Sequence, residues 1–419
     1  MAYLIFAFEL ICLSLLNLFG KTECSDAFIL LLIIISAVSI AMQFSSKEYS
    51  RIVQDTLTLG LILRIFFLCF DLYAQKIFVL PNSGADSEMF YGNALNVAKG
   101  GTTSRGFFPE LMGWIFRYIG TSRLWGQYLL VLCSVVALVY AAKTLYLLEL
   151  DVTTIRKTML LLSLLPNYAI LSSIFLRESL VAMFVSISAY QYIKWTKQKS
   201  EWSFILAIVF VFLGMRFHSG TIAVAVGYVL SRFIYNNQTG QLSISVKNIV
   251  SGIILLLVGV FFLNRYGDSF LGTFGTVDSV EDIAKKTVDA GSSYAAYVGN
   301  SDSIPNFILY SIPRMLFFQF SPMPWMIRGI SDIIAFCFSS CFYIVTLVRA
   351  LKYLSRHDSQ YRVLVTVMII VVACAAFVFG WGVTNSGTAC RHRDKMVMIW
   401  GILYALSEAP MEKENLVTK

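Results

Sequence analysis

The sequence predicts an all-α protein, a polytopic bundle of transmembrane helices. Apolar residues make up 57% of the 419 residues, and charged residues make up only 14%. The mean hydropathy is +0.71, well above that of domains that fold in water. The chain also contains many apolar runs of about 20 residues, the length that a helix needs to cross a bilayer.

These runs predict about twelve spans. The first run begins at Ala2 without a basic region, so we expect a retained span and not a cleavable signal peptide. No internal repeat or low-complexity linker divides the chain, so residues 1–419 are expected to form one membrane domain. The expected spans are 2–19, 27–43, 56–74, 124–142, 158–175, 179–195, 202–215, 219–235, 249–264, 329–348, 361–381 and 396–409.

The charge of the connections predicts the orientation. Short connections dense in Lys and Arg follow the second, fourth, sixth, eighth and tenth spans, and by the positive-inside rule they are cytoplasmic. The long connections, 75–123 and 265–328, then face outward, and both termini lie in the cytoplasm. The expected location is the bacterial cytoplasmic (inner) membrane.

Two apolar segments inside the outer loops are expected to lie in the membrane interface and not to cross it. "GFFPELMGWIFRYIG" (106–120) is short and carries Glu110 and Arg117. "FILYSIPRMLFFQF" (307–320) is interrupted by Pro313 and an arginine. Short amphipathic segments of this kind are typical of helices that lie in the interface plane.

Unusual polar residues collect on the outer side of this topology. Short outer turns between helices do not need arginine for orientation, and the positive-inside rule disfavours arginine there. Guanidinium groups bind phosphate bidentately, and a facing carboxylate can act as a general base. The residues are Asp86 and Glu88 in the first outer loop, Arg177 and Glu178, Arg216 and His218, Arg314 and Arg328, and Asn385, Arg391, His392, Arg393 and Asp394 in "TNSGTACRHRDK".

Each of these residues also has a purely structural interpretation. An arginine at the end of a span can extend to lipid phosphates, and Glu178 at a helix start can interact with the helix dipole. Arg64, inside the third span, either pairs with a neighbouring helix or extends toward the interface. The eight cysteines have no metal-ligand spacing, and Asp86 with Glu88 is only a weak divalent-metal pattern, so no metal or cofactor is predicted.

Four stretches carry a family resemblance: "GADSEMFYGNA", "LPNYAILSSIFLRESL", "FSPMPW" and "NSGTACRHRDKMVMIWGILYAL". With them the chain resembles bacterial polytopic glycosyltransferases of the GT-C type and the related polymerases of surface polysaccharides (O-antigen, capsule and exopolysaccharide). The resemblance covers most of the chain from residue 80 onward. It implies a GT-C-like fold and a polyprenyl-(pyro)phosphate-linked sugar donor.

The resemblance also implies roles for individual residues. An acid in the first outer loop acts as base or orients the acceptor, which points to Asp86 and then Glu88. Arginines at outer helix ends handle the lipid phosphate, a role that we expect for Arg177, Arg216 and the pair in "CRHR". Polymerases of this group often rely on arginine and histidine more than on a pair of acids, so His218 and His392 are also catalytic candidates.

The implied partners are the polyprenyl-linked sugar, membrane lipid and other polysaccharide-assembly proteins, with no nucleic acid. A transporter or lipid-oligosaccharide flippase is the competing class, and an O-antigen ligase or acyltransferase is a third. A transporter should place ionisable residues near the bilayer midplane and often has an internal repeat. In the sequence only Arg64 lies clearly deep, which favours the enzyme.

Overall fold

The structure is a computed structural model. It describes residues 7–9, 11, 13–15, 26–45, 49–236, 240–243, 249–250, 252–254, 293–298, 304–355 and 361–409. Most of the predicted spans 2–19 and 249–264, and the acidic middle of the second long loop, lie outside these residues.

The described chain is about 81% helical, which confirms the all-α class. One short antiparallel hairpin, β1 (Tyr235–Asn236) and β2 (Gln241–Leu242), follows α10. The helices are α1 (Asp26–Ser45), α2 (Arg51–Tyr73), α3 (Ala85–Ala98), α4 (Phe107–Ile119), α5 (Arg123–Leu147), α6 (Val152–Leu164), α7 (Pro166–Leu171), α8 (Glu178–Gln198), α9 (Glu201–Met215), α10 (Ile222–Ile234), α11 (Ala295–Val298), α12 (Ile304–Phe320), α13 (Ile330–Leu354), α14 (Arg362–Gly382), α15 (Ser386–Asp394) and α16 (Val397–Glu408).

Several of these helices could span a membrane. Within the described ranges, five are long and apolar enough by length and composition, namely α1, α2, α5, α13 and α14. Each coincides with a predicted span. The predicted interfacial segments are also helical, as α4 and α12, and their position at an interface stays a prediction.

One predicted span is wrong, and two predicted connections contain helices. The expected span 158–175 is interrupted, because α6 ends before Pro166 and a proline cannot continue the hydrogen-bonding pattern of a helix. Asp86 lies in the first turn of α3, within the predicted outer loop 75–123. The connection predicted as the last outer turn contains helix α15, whose first turn is capped by Asn385, since the Asn385 side chain accepts hydrogen bonds from the backbone amides of Gly387 and Thr388.

The chain divides into two compact units. Unit 1 comprises residues 1–139 and 159–183, and unit 2 comprises residues 140–158 and 184–419. In unit 1, α3 packs on α4 through an aromatic cluster that includes Phe90 and Phe108, whose rings are 5.4 Å apart. In unit 2, α14 packs against both α10 and α12.

Candidate functional site

In unit 2 the charged run of residues 391–395 is buried. Four of its five residues lie on α15 and the fifth follows it. Arg391 is 9% exposed, and Arg393, Asp394 and Lys395 are at most 1% exposed. The sequence predicted these side chains at an outer surface, whereas the structure encloses them inside the unit.

Arg393 is bound mainly to backbone. One of its terminal nitrogens donates to the carbonyl oxygens of Gln319 and Ser321. The other donates to Ser340 Oγ at 3.2 Å and contacts Cys390 Sγ at 3.4 Å. These contacts hold the end of α12 and the following loop, so Arg393 organises the site in this structure; its predicted contact with lipid phosphate stays a prediction.

Asp394 is the buried acid of the same helix. Its Oδ1 accepts a hydrogen bond from the Tyr343 hydroxyl at 2.8 Å and a longer one from Ser339 Oγ at 3.4 Å. Both donors lie on α13, so Asp394 joins α15 to that helix. The Arg393 guanidinium lies over the Tyr343 ring, 5.2 Å from its centroid.

Arg314 and Tyr294 add to this buried polar region. Arg314, on α12, is 1% exposed and lies over the Trp381 ring, 4.3 Å from its centroid. The Tyr294 hydroxyl donates to the Val383 carbonyl at 3.0 Å. Burial raises the pKa of Tyr294, and electrostatic interactions with Arg314 and Arg393 oppose that rise. Tyr294 therefore lies close enough to both arginines to interact with them electrostatically.

Two predicted catalytic histidines, 174 positions apart in the sequence, meet in unit 2. The ring centroids of His218 and His392 are 4.4 Å apart. Phe379 packs on both rings, at 5.3 Å and 5.5 Å. His392 also lies between the two arginines of "CRHR", so the histidine pair borders the buried basic run.

Buried charge in unit 2 is mostly basic. Within the described part of this unit, the buried charged residues are four bases and one acid, a formal net charge of +3. A charge excess in a low-dielectric interior is costly unless it interacts with an anion. This region is the candidate site, and its bases are Arg314, Arg391, Arg393 and Lys395.

The other predicted residues of unit 2 lie at helix ends. Arg216 is the C-cap residue of α9 and is half-buried. Arg328 pairs with Asp332, with 3.4 Å between its Nε and the nearer carboxylate oxygen, and almost half of its side chain is exposed. A solvent-exposed ion pair of this kind contributes little to stability.

In unit 1, the predicted residues lie around the first turns of α3 and α8. Asp86 and Glu88 are exposed, and Glu88 forms a 2.6 Å ion pair with Arg123, which the sequence reasoning missed. Arg177 is half-buried, with its guanidinium 5.4 Å from the centroid of the Phe90 ring. Glu178 is 2% exposed in the first turn of α8.

The sequence predicts that Arg177, Arg216 and the "CRHR" arginines share one cavity, opposite Asp86 or Glu88. Arg177 and the two acids belong to unit 1, and the other arginines belong to unit 2. The shared cavity therefore stays a prediction.

Unit 1 also contains two buried charged residues in α2, of which the sequence analysis singled out only the first. Arg64 and Asp71 are both fully buried. Arg64 donates to the carbonyls of Gly60 and Ser163, at 2.9 Å and 3.1 Å. Asp71, near the end of the same helix, is therefore a second fully buried ionisable residue of α2, and the expected depth of Arg64 in the bilayer stays a prediction.

Groups of three or more His, Cys, Asp or Glu residues that could hold a metal ion do not occur in the described ranges. Comparison with known proteins gives no relative: no protein-family model, curated protein or solved structure matches the chain.

Proposed function

We propose that the chain is an integral membrane glycosyltransferase or polysaccharide polymerase that uses polyprenyl-(pyro)phosphate-linked sugar donors in surface polysaccharide synthesis. In this proposal it crosses the bacterial cytoplasmic membrane about twelve times, with both termini in the cytoplasm, and acts at the outer face. Five helices that could span a membrane support the membrane setting.

One observation carries the proposal: the buried net positive charge of unit 2 borders a pair of histidines. A site that binds a pyrophosphate needs fixed positive charge, and arginine supplies it at any physiological pH. A site that transfers a sugar to a hydroxyl group also needs a base or acid that titrates near neutrality, which histidine supplies.

In the proposed reaction, the acceptor hydroxyl oxygen attacks C1 of the donor sugar. The bond between C1 and the pyrophosphate oxygen breaks, and its electron pair leaves with polyprenyl pyrophosphate. His218 or His392 takes the hydroxyl proton; the acids Asp86 and Glu88 are the alternative bases. Arg391 and Arg314 stabilise the leaving pyrophosphate, and the proposed role of Arg177 and of Arg216 is contact with the donor phosphate.

Transfer activity tests this proposal. Purified protein in liposomes is given a polyprenyl-pyrophosphate-linked oligosaccharide, and released polyprenyl pyrophosphate and lengthened glycan are measured. We expect His392→Gln and Arg391→Gln to lower kcat/KM at least a hundredfold, within the range of general-base and electrostatic contributions. Arg362→Gln, at an exposed residue that begins α14, is the control and should keep full activity. Full activity in both site variants would refute the assignment.

A transporter is the second candidate, and one observation favours it: Arg64 and Asp71 are fully buried in α2, a helix that could span a membrane. Ionisable residues inside spans often mark transport pathways. Translocation of a fluorescent polyprenyl-linked oligosaccharide in proteoliposomes distinguishes the two. Transfer without translocation supports the enzyme, and translocation without transfer supports the transporter.

A further inference from the structure

We propose that Asp71 and Gln127 are positioning residues that fix the backbone segment carrying Arg177. This inference rests on the proposed function, in which Arg177 contacts the phosphate of the donor. Both side chains are fully buried in unit 1, on α2 and α5, and the proposed chemistry does not use either of them.

The contact that carries the inference is a pair of hydrogen bonds that joins three residues. Residues 172–177 link α7 to α8 without forming a helix. The Ser173 carbonyl in this link accepts a 2.9 Å hydrogen bond from Gln127 Nε2. The same nitrogen donates to Asp71 Oδ2 at 2.8 Å. A primary amide has two N–H donors, so Asp71 takes one, orients the amide group, and leaves the other for the link.

Stability alone does not account for this pair. Asp71 Oδ1 and Gln127 Oε1 are buried and have no hydrogen-bond partner among the residues that the structure describes. A buried acceptor without a partner is destabilising, and two apolar side chains of similar volume would avoid that penalty. The pair makes sense if the position of the link matters more than the stability of the contact.

The link is also held on its other side by aromatic packing. The Phe175 ring lies 5.4 Å from the rings of Tyr91 and Phe108. Two residues further on, the Arg177 guanidinium packs over Phe90. The Ser173 carbonyl and the aromatic cluster therefore fix the link at two points before Arg177, and release of the carbonyl should let Arg177 move.

The test compares four variants. Asp71→Leu and Gln127→Leu remove the anchor. Asp71→Asn keeps it, because the asparagine side-chain oxygen can still accept from Gln127 Nε2. Arg64→Leu is the matched control, since it removes another fully buried polar residue of α2 that is bonded to Ser163 and not to the link.

The first measurement does not depend on the proposed function. Amide hydrogen–deuterium exchange of residues 172–177 is followed in the purified full-length protein. We expect exchange at least tenfold faster in both leucine variants, and within twofold of wild type in Asp71→Asn and Arg64→Leu. Unchanged exchange in both leucine variants would overturn the proposal. If a leucine variant fails to fold, Gln127→Ala replaces it, because it also removes the donor to the Ser173 carbonyl; exchange of residues 172–177 no faster in Gln127→Ala than in wild type would then overturn the proposal.

The second measurement is a double-mutant cycle with Arg177→Gln in the transfer assay. If Asp71 acts through Arg177, then Asp71→Leu raises the KM for the donor, and Asp71→Leu/Arg177→Gln is no worse than Arg177→Gln alone. If the effects of Asp71→Leu and Arg177→Gln on transfer multiply in the double variant, Asp71 only stabilises the fold. We expect such multiplying effects for Arg64→Leu combined with Arg177→Gln. Absence of transfer in the wild-type protein would count against the proposed function, while the exchange measurement would still decide the positioning role.

Discussion

Replacing Tyr343 by phenylalanine removes a single hydroxyl group from the candidate site of unit 2. Tyr343 is fully buried, and its hydroxyl donates to Asp394 Oδ1 at 2.8 Å. A hydrogen bond to a charged group contributes about 1.5–3 kcal/mol. Phenylalanine keeps the ring contacts with Trp400 and Arg393, and the weaker bond from Ser339 at 3.4 Å stays. We therefore expect the free energy of unfolding to fall by about 1.5–3 kcal/mol.

Thermal unfolding of the purified protein in detergent measures this effect, as a melting temperature lower by roughly 2–3 °C, because an unfolding entropy of about 2.1 cal/mol/K per residue amounts to about 0.9 kcal/mol/K for a chain of 419 residues. Tyr404→Phe on α16 is the matched control, because it deletes the same group from a residue whose ring lies 5.8 Å from the Arg349 guanidinium and whose hydroxyl has no hydrogen bond within the described chain. We expect a change within about 0.5 kcal/mol there. Equal melting temperatures for Tyr343→Phe and wild type would refute the idea that this hydroxyl stabilises the buried acid.

Three further predictions concern packing, thiol chemistry and pH. Gly227→Ala should lower the free energy of unfolding by about 1–3 kcal/mol, since an added Cβ would lie 2.7 Å from Val371 Cα; a melting temperature equal to that of wild type would contradict this. Burial raises the pKa of Cys390 to about 11, so the native protein should resist maleimide labelling at this residue at pH 8 and be labelled there after unfolding in SDS; equal labelling of the native and the unfolded protein by peptide mass spectrometry would contradict this. Asp151 accepts a 2.9 Å hydrogen bond from the amide three residues later, and such bonds outweigh burial and lower its pKa. The stabilising contribution of Asp151 is therefore present above its unfolded-state pKa and is lost as pH falls through its folded-state pKa. We expect Asp151→Ala to lower the free energy of unfolding by about 0.5–2 kcal/mol at pH 7, and this difference from wild type should shrink below about pH 4.

The sequence predicts the long helices well because their signal is compositional. Each apolar run that forms α1, α2, α5, α13 or α14 has the length and hydropathy of a span by itself. Short helices rich in polar residues give no such signal. The helix α3 starts with "ADSE" and packs on α4, and α15 contains "RHRD" and is capped by Asn385; a hydropathy profile registers neither the packing nor the cap.

The candidate site, like the helices, could be predicted from the sequence only in part. Residue type and co-location suggested the importance of His218 and His392, and the structure brings their rings into contact. Burial was not predictable, because "CRHRDK" resembles a solvated turn and its enclosure depends on acceptors far along the chain, such as the Gln319 carbonyl. Lys395 was missed for the same reason, although it continues the basic run.

The most direct test of the proposed site is binding of polyprenyl pyrophosphate to the purified full-length protein in nanodiscs of uncharged lipid, compared with the polyprenyl alcohol of the same length. The buried positive charge of unit 2 predicts at least tenfold tighter binding of the pyrophosphate, which is about 1.4 kcal/mol. Arg391→Gln should remove most of that preference, and Arg362→Gln should leave it unchanged. Equal affinity of the wild-type protein for the alcohol and the pyrophosphate would contradict the proposal.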